Sequence, residues 1–287
     1  MPKGNLGPGG RVADLLRAHT GAVDLNAVET RATPGFEGAK ADAEQELPGL
    51  GEQVADLQEQ LYAEGRTGGG RSVLLVLQGM DTSGKGGTVK HVVGHLDPSG
   101  IHVASFGKPT KEELAHEFLW RIRAQLPRAG KIGVFDRSHY EDAVTVHVHG
   151  TIGDADRDER IATINAFEEE LVAAGTLLLK CFLVISRDEQ RERLLARLDD
   201  PTKHWKYNPA DLDSRARWDD YMAAYAYALE RTNTEIAPWH LVPADRKWYR
   251  NWAVTMLLLE QLDALGLRWP DADFDVEAER ARLESMP

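Results

Sequence analysis

Residues 73–88 read V-L-L-V-L-Q-G-M-D-T-S-G-K-G-G-T. Five apolar residues, Val73 to Leu77, run into a turn that carries Gly79, Gly84, Lys85, Gly86 and Gly87, and a helical pattern follows. The order is strand, phosphate loop, helix. Glycines let backbone N–H groups close around phosphate oxygens, and the helix N-terminus adds a favourable dipole. Lys85 supplies a point charge suited to following a phosphoryl group in transfer. Thr82 in the loop and Lys90 on the following helix are further candidate phosphate contacts.

The loop departs from the usual P-loop pattern. Gly79 to Lys85 fits G-x-x-x-x-G-K, but the next residue is Gly86 where Ser or Thr ordinarily supplies a magnesium-binding hydroxyl. Asp81 inside the loop places a carboxylate beside phosphates, which repel it unless a cation lies between. It therefore binds the metal, polarises an acceptor oxygen, or turns away to cap the helix.

Composition bounds the rest. A chain of 287 residues, 42% hydrophobic and 28% charged, suits a soluble globular protein. The single cysteine, Cys181, lies in the apolar run Leu177 to Ile185 and reads as a buried strand residue. No run approaches the roughly 18 apolar residues that span a bilayer, so no membrane partner is expected. The first ten residues lack the apolar core of a signal peptide, and a reducing cytoplasm is the expectation. Net charge of −12 argues against nucleic acid as a partner. A phosphate-rich ligand then needs a local basic cluster.

Residues 1 to 40, rich in Gly, Pro and small polar residues, read as a flexible or loosely docked arm. Leu47, Leu50, Val54, Leu57 and Leu61 mark one face of a helix ending near Gly65, weakened at its start by Pro48 and Gly49. Strands are expected at Val73–Leu77, Ile101–Phe106, Ile132–Phe135, Leu177–Ile185 and Trp239–Val242. Helices are expected between and after them at Lys85–Leu96, Lys111–Leu126, Ser138–Val148, Arg157–Ala174, Arg187–Leu198, Leu212–Thr232 and Lys247–Leu265. The alternation predicts an α/β fold, a P-loop kinase-like three-layer α/β/α arrangement with a parallel sheet of about five strands. Right-handed crossovers bring the strand C-termini to one edge, where Gly79, Phe106–Thr110, Asp136 and Ser186–Arg187 gather. The expected organisation is the arm, one domain over 41–269, and an acidic tail over 270–287 with a short helix at Val276–Glu284.

Two further stretches carry chemistry. Residues 132–142, I-G-V-F-D-R-S-H-Y-E-D, end an apolar strand in Asp136, the arrangement that holds a carboxylate beside the metal of a phosphate loop. Arg137 is placed to hold a phosphate, or else pairs with Glu141 or Asp142. Residues 186–206 carry Arg187, Arg191, Arg193 and Arg197, then Lys203, His204 and Lys206 after Pro201. That basic helix and loop, about 187–210, reads as a lid closing over phosphates, or as a solvated helix paired to Glu189, Glu192, Asp199 and Asp200. His147 and His149 have poor spacing for a zinc site. His139 suits a helix-start hydrogen bond.

The series G-M-D-T-S-G-K-G-G-T, S-F-G-K-P-T-K-E-E-L, H-E-F-L-W-R, F-D-R-S-H-Y-E-D, P-T-K-H-W-K-Y-N and A-P-W-H-L-V-P-A-D-R-K resembles polyphosphate kinase family 2, over about residues 45 to 265 in the right order. The resemblance implies magnesium-dependent phosphorylation of nucleotides by inorganic polyphosphate, with manganese as the substitute ion, and a homodimer or homotetramer. It gives Asp81 and Asp136 the metal, Lys85 the loop cation, and Arg137 a phosphate. It places Arg191, Arg193 and Arg197 in the lid, Lys203 and Lys206 on the polyphosphate path, and Lys108 and Thr110 by the acceptor nucleoside; Arg191 and Arg197 are then catalytic candidates, and Arg187 and Arg193 candidate nucleotide or polyphosphate contacts. Tyr140–Glu141–Asp142 resembles the branch using nucleoside mono- and diphosphates. Asp136 and His147 resemble that branch less, so AMP and ADP, with GMP and GDP, stay open as acceptors. An ATP-dependent small-molecule kinase and a non-catalytic nucleotide- or polyphosphate-binding regulator are the alternatives.

Overall fold

A computed structural model describes residues 10–19 and 21–287; the first nine residues of the expected arm lie outside the described residues. The elements are α1 (Val12–Leu16), α2 (Lys40–Arg66), β1 (Ser72–Gln78), α3 (Lys85–Val92), β2 (Ile101–Ser105), α4 (Trp120–Arg123), β3 (Ile132–Asp136), α5 (Glu141–Val148), α6 (Asp154–Ala173), β4 (Thr176–Val184), α7 (Arg187–Leu198), α8 (Ala210–Ala216), α9 (Trp218–Thr232), β5 (Trp239–Pro243), α10 (Lys247–Ala264) and α11 (Val276–Glu284). Five parallel strands form one sheet in the order β2-β3-β1-β4-β5. This is the expected α/β class. β1 is buried at every residue because strands on both sides and helices on both faces enclose it, which explains its unbroken apolar run. Leu77 pairs with Asp136, so the phosphate loop and the carboxylate end of β3 leave the sheet side by side.

Several helices depart from their expected lengths. α2 begins seven residues before Leu47 and runs for 27 residues with Pro48 inside it. The expected helix Lys111–Leu126 is instead a short turn at Glu113–Ala115 and the one-turn α4. Thr110 and Glu113 cap each other's backbone N–H groups, and His116 stacks on Trp120, so the chain bends around a cavity. The expected helix Leu212–Thr232 breaks at Arg217 into α8 and α9.

In the segment expected as an arm, α1 docks through Val12 N–H and Ala13 N–H, each donating at 2.9 Å to the buried Glu260 carboxylate of α10. Thr30 Oγ1 donates to Asp245 at 2.8 Å, and Phe36 packs edge-on against Trp248 and Trp252. At the other end every residue of α11 is exposed.

Between β4 and α6 the core holds a charge pair. Lys180 of β4 and Glu168 of α6, 0% and 2% exposed, meet at 2.7 Å. Lys180 Nζ also donates to Tyr140 Oη and Thr232 O, and Tyr140 Oη donates to Glu168 Oε1 at 2.6 Å. His139 Nε2 lies 3.3 Å from the same carboxylate, so its role is this network rather than a helix-start bond. Burial is the largest influence and opposes charge on Glu168, but the charges and hydrogen bonds of Lys180 and His139 together outweigh it and hold the carboxyl below its ordinary pKa. The network ties the chain after Asp136 to the sheet. Lys180→Met, which strands Glu168 without its cation, is expected to cost about 3–5 kcal/mol in urea unfolding. Adding Glu168→Gln is expected to recover part of that loss.

Candidate active site

The phosphate loop is shaped by local backbone demands. Thr82 and Arg137, both at φ +65°, are the non-glycine residues with left-handed backbone among those described. Such positions cost roughly 1–3 kcal/mol and persist where surroundings enforce them. Both lie at this site. Gly84, at φ +108°, is the N-cap of α3, whose first turn carries no side-chain cap and leaves its N–H groups to a ligand. A Cβ on Gly84 would come 1.8 Å from Arg250 Nη1. Gly86 and Gly87 continue the first turn of α3.

Lys85 is buried and curls over the loop, donating to Gly79 O at 2.8 Å and Met80 O at 3.3 Å. Burial first, then Arg137, push its pKa down, while Asp81, Asp136 and Glu141 pull it up. Arg137 Nη2 donates to Asp81 Oδ1 at 2.5 Å. Burial works against the Arg137 charge, but the surrounding groups, Glu141 first and then Asp81, Tyr225 and Asp136, together outweigh it and hold the pKa above its ordinary value. The Arg137 ion pair and hydrogen bond are with Asp81, while Glu141 of its own motif acts on it through charge alone. Asp136 Oδ2 lies 3.5 Å from where a Cβ on Gly86 would stand. The carboxylate thus sits beside the position that usually carries the hydroxyl. Thr82 Oγ1 and Ser83 Oγ are buried without a hydrogen-bond partner.

The lid residues divide. Arg193 is buried and its donors are spent on the frame: Nη1 on Thr82 O and Ser83 O at 2.9 and 3.0 Å, Nη2 on Ala244 O and Asp245 O at 2.6 and 3.0 Å, Nε on Glu189 at 2.8 Å. It fastens loop to sheet, its donors spent within the protein, where the sequence alone makes it a candidate nucleotide or polyphosphate contact of the lid. Asp245 holds the start of α7 through Ser186 N–H and Oγ. Arg187 and Arg191 are exposed. Arg197 Nη1 donates to Lys206 O at 3.0 Å and lies 3.3 Å from Asp211. Lys203 pairs with Asp200, and Lys206 lies over the Trp205 ring. Lys90 is exposed on α3.

Beside the loop opens a cavity of about 1160 Å³, whose lining includes the charged residues Asp81, Lys108, Arg137 and Glu141 and the aromatic residues Phe106, Phe118, Tyr221 and Tyr225. Lys108 belongs to it; Thr110 instead caps the turn below. Its wall holds the buried pair Arg121–Asp142 at 2.8 Å, with Arg121 Nη1 donating to Gly107 O. Gln78 Nε2 donates to Glu141 Oε1 at 2.6 Å. Asp211 of α8 reaches over from the lid, and burial followed by nearby Asp81 raises its pKa. Arg121, Glu141 and Asp211 were missed as site residues. The first two stand in the quoted motifs, whereas nothing in the spacing of Asp211 marks it.

A parallel 2-3-1-4-5 sheet with a glycine loop after its central strand and a carboxylate ending the neighbouring strand defines the P-loop kinase class of fold. Within that class the chain belongs to the polyphosphate kinase 2 family, whose pattern matches residues 37–268. It is 45% identical to the AMP/ADP-polyphosphate phosphotransferase of Meiothermus ruber, over 88% of this chain and 93% of that one. It is 40% identical to the ADP-polyphosphate phosphotransferase of Rhodopseudomonas palustris, over 87% and 89% of the two chains. The crystal structure of polyphosphate kinase 2 from Arthrobacter aurescens TC1 superposes with a TM-score of 0.93 at 51% identity, covering 97% of this chain and 99% of that one.

Two glycines of the loop should respond differently to a methyl group. Gly84→Ala meets Arg250 and an unsuitable φ, and is expected to lose at least about 1 kcal/mol in urea unfolding. Gly86→Ala has ordinary space and a helical position, and is expected to be neutral or to gain up to about 1 kcal/mol.

Proposed function

We propose that the chain transfers the terminal phosphoryl group of inorganic polyphosphate to a nucleoside mono- or diphosphate, AMP and ADP first and their guanine counterparts next. The observation that carries this reading is the pairing of two unlike compartments at Asp81 and Arg137. On one side is a loop and helix N-terminus suited to phosphate alone. On the other is a cavity lined by both aromatic and charged side chains, suited to a nucleoside carrying phosphate.

The donor's terminal phosphate lies on the first turn of α3 against Lys85. The acceptor's base lies among Phe106, Phe118 and Tyr221, with its phosphate directed at Arg137. An acceptor phosphate oxygen attacks the terminal phosphorus in line as the bond to the bridging oxygen of the chain breaks. The products are a nucleotide longer by one phosphate and a polyphosphate shorter by one. The attacking oxygen is already anionic, so no strong general base is needed. Lys85 and Arg137 stabilise charge on the transferring group, and the walls hold the two anions in register.

Asp81 and Asp136 are suited to magnesium, or manganese in its place. The unpartnered Thr82 and Ser83 hydroxyls and the carboxylate beside Gly86 fit such an ion. Among the described residues no group of three or more His, Cys, Asp or Glu forms a complete cage. Magnesium ordinarily takes one or two carboxylates and completes its shell with water and substrate phosphates. When bound, the ion neutralises charge between the two phosphate groups. No helix among the described residues is long and apolar enough to cross a membrane.

Purified protein with magnesium, long-chain polyphosphate and AMP or ADP, free of ATP, is expected to form ADP and ATP by chromatography. Lys85→Ala and Asp136→Ala are each expected to lower turnover at least ~10²-fold, about 2.7 kcal/mol of transition-state stabilisation. Transfer from ATP but not from polyphosphate would favour a conventional kinase. Unchanged turnover in either variant would remove that residue from the reaction.

A further inference from the structure

Arg250 lies on α10, beneath the first turn of α3, and is 3% exposed. Its guanidinium is packed against the phosphate loop: Nη1 fills the space where a Cβ on Gly84 would stand, and Nη2 lies 3.0 Å from the corresponding point on Gly87. Among the described residues it donates to one acceptor, Asn251 Oδ1, from Nε at 3.2 Å and Nη2 at 2.7 Å. Nη1 donates to no acceptor among the described residues, and no carboxylate there pairs with the side chain. Burial first, and then the like charge of Arg193, push its pKa down to about 10.

That environment is unusual for a guanidinium. A buried charge is ordinarily paired or hydrogen-bonded throughout, because an uncompensated one costs several kcal/mol. Arg193, the neighbouring buried arginine, illustrates the ordinary case: its donors end on four carbonyls and a carboxylate. Arg250 has no such set. Yet it stands against the uncapped first turn of α3, which also lacks an acceptor for its N–H groups. The nearby Lys247 has its pKa lowered by burial and then by Arg193, with Arg250 contributing in the same direction, so excess positive charge collects here. An anion at the loop satisfies the helix N-terminus and the guanidinium together.

We infer that Arg250 is a phosphate-binding residue, its guanidinium contacting an inner phosphate of the donor chain as that chain lies over Gly84 and Gly87. This rests on the phosphate-loop reading given above and extends it. The donor site then has two cations against the loop, Lys85 at Gly79 and Met80 and Arg250 at Gly84 and Gly87. Glycine at 84 serves to let the arginine approach as well as to turn the backbone. The same placement explains why Arg250 is tolerated without a counter-charge: the counter-charge is the substrate.

The test uses the full-length chain with Arg250→Met, which keeps most of the side chain's volume, and Arg250→Lys, which keeps its charge. Three quantities are read: ligand-free stability in urea, the thermal shift produced by tripolyphosphate without nucleotide, and KM for polyphosphate and for the nucleotide separately. The inference predicts that Arg250→Met is as stable as the parent or more so without ligand. Its tripolyphosphate shift should fall to less than a third, and its KM for polyphosphate should rise at least tenfold while the nucleotide KM stays within twofold. Arg250→Lys should recover part of the shift. A variant that loses ligand-free stability but keeps the parent's shift and polyphosphate KM would show Arg250 to be packing alone and overturn the inference. A parent protein that tripolyphosphate does not stabilise and that does not turn over would overturn the loop reading itself, and this inference with it.

Discussion

The structure turns on how positive charge is held under the phosphate loop. The chain is strongly acidic overall, and the cations that matter are few and mostly enclosed. Arg193 spends its donors on carbonyls from the loop and from the exit of β5, so the loop, the base of α7 and the sheet edge form one rigid piece. Asp245 fastens the start of α7 from the other side. The base of the lid is therefore part of the core, and only its outer face, with Arg187, Arg191, Lys203 and Lys206, faces solvent. A rigid loop with enclosed cations offers preorganised charge, which stabilises a transferring phosphoryl group without reorganisation at the moment of reaction.

The opposing carboxylates follow from the same constraint. Two anionic substrates cannot approach each other beside bare cations alone without locking into the ground state, and they cannot approach beside bare carboxylates at all. The chain alternates the two. Lys85 lies within the influence of Asp81, Asp136 and Glu141, and Arg137 is held charged by Glu141 and Asp81. The buried Lys180–Glu168 pair with Tyr140 and His139 then anchors the residues after Asp136, so that Arg137 can keep its left-handed backbone. The departure at Gly86 has a physical counterpart: the space beside it is bordered by the Asp136 carboxylate.

The sheet was legible in the sequence because a strand enclosed on both faces must be apolar throughout, as Val73–Leu77 is. The loop was legible because its glycines and Lys85 are contiguous. The region between β2 and β3 was not, since its helical periodicity reflects residues wrapped around a cavity, with Thr110 and Glu113 closing a short turn early. Arg193 and Arg250 were misjudged or missed for a shared reason. An arginine on an amphipathic helix has the same spacing whether it faces solvent, carbonyls or a ligand, and only the fold tells which. Lys180 was hidden by the apolar run around it. Asp211 reaches the site only because the helix breaks at Arg217.

The central claim is spatial: donor phosphates occupy the loop side, and the acceptor nucleoside occupies the aromatic cavity. A crystal structure of the full chain with magnesium, AMP and a methylene-bridged, non-transferable polyphosphate tests it directly. AMP is expected in the cavity with its phosphate at Arg137, and the phosphonate chain over Gly84–Gly87 in contact with Lys85 and Arg250. A nucleoside seated over the N-terminus of α3, with the phosphonate chain running through the cavity, would contradict it.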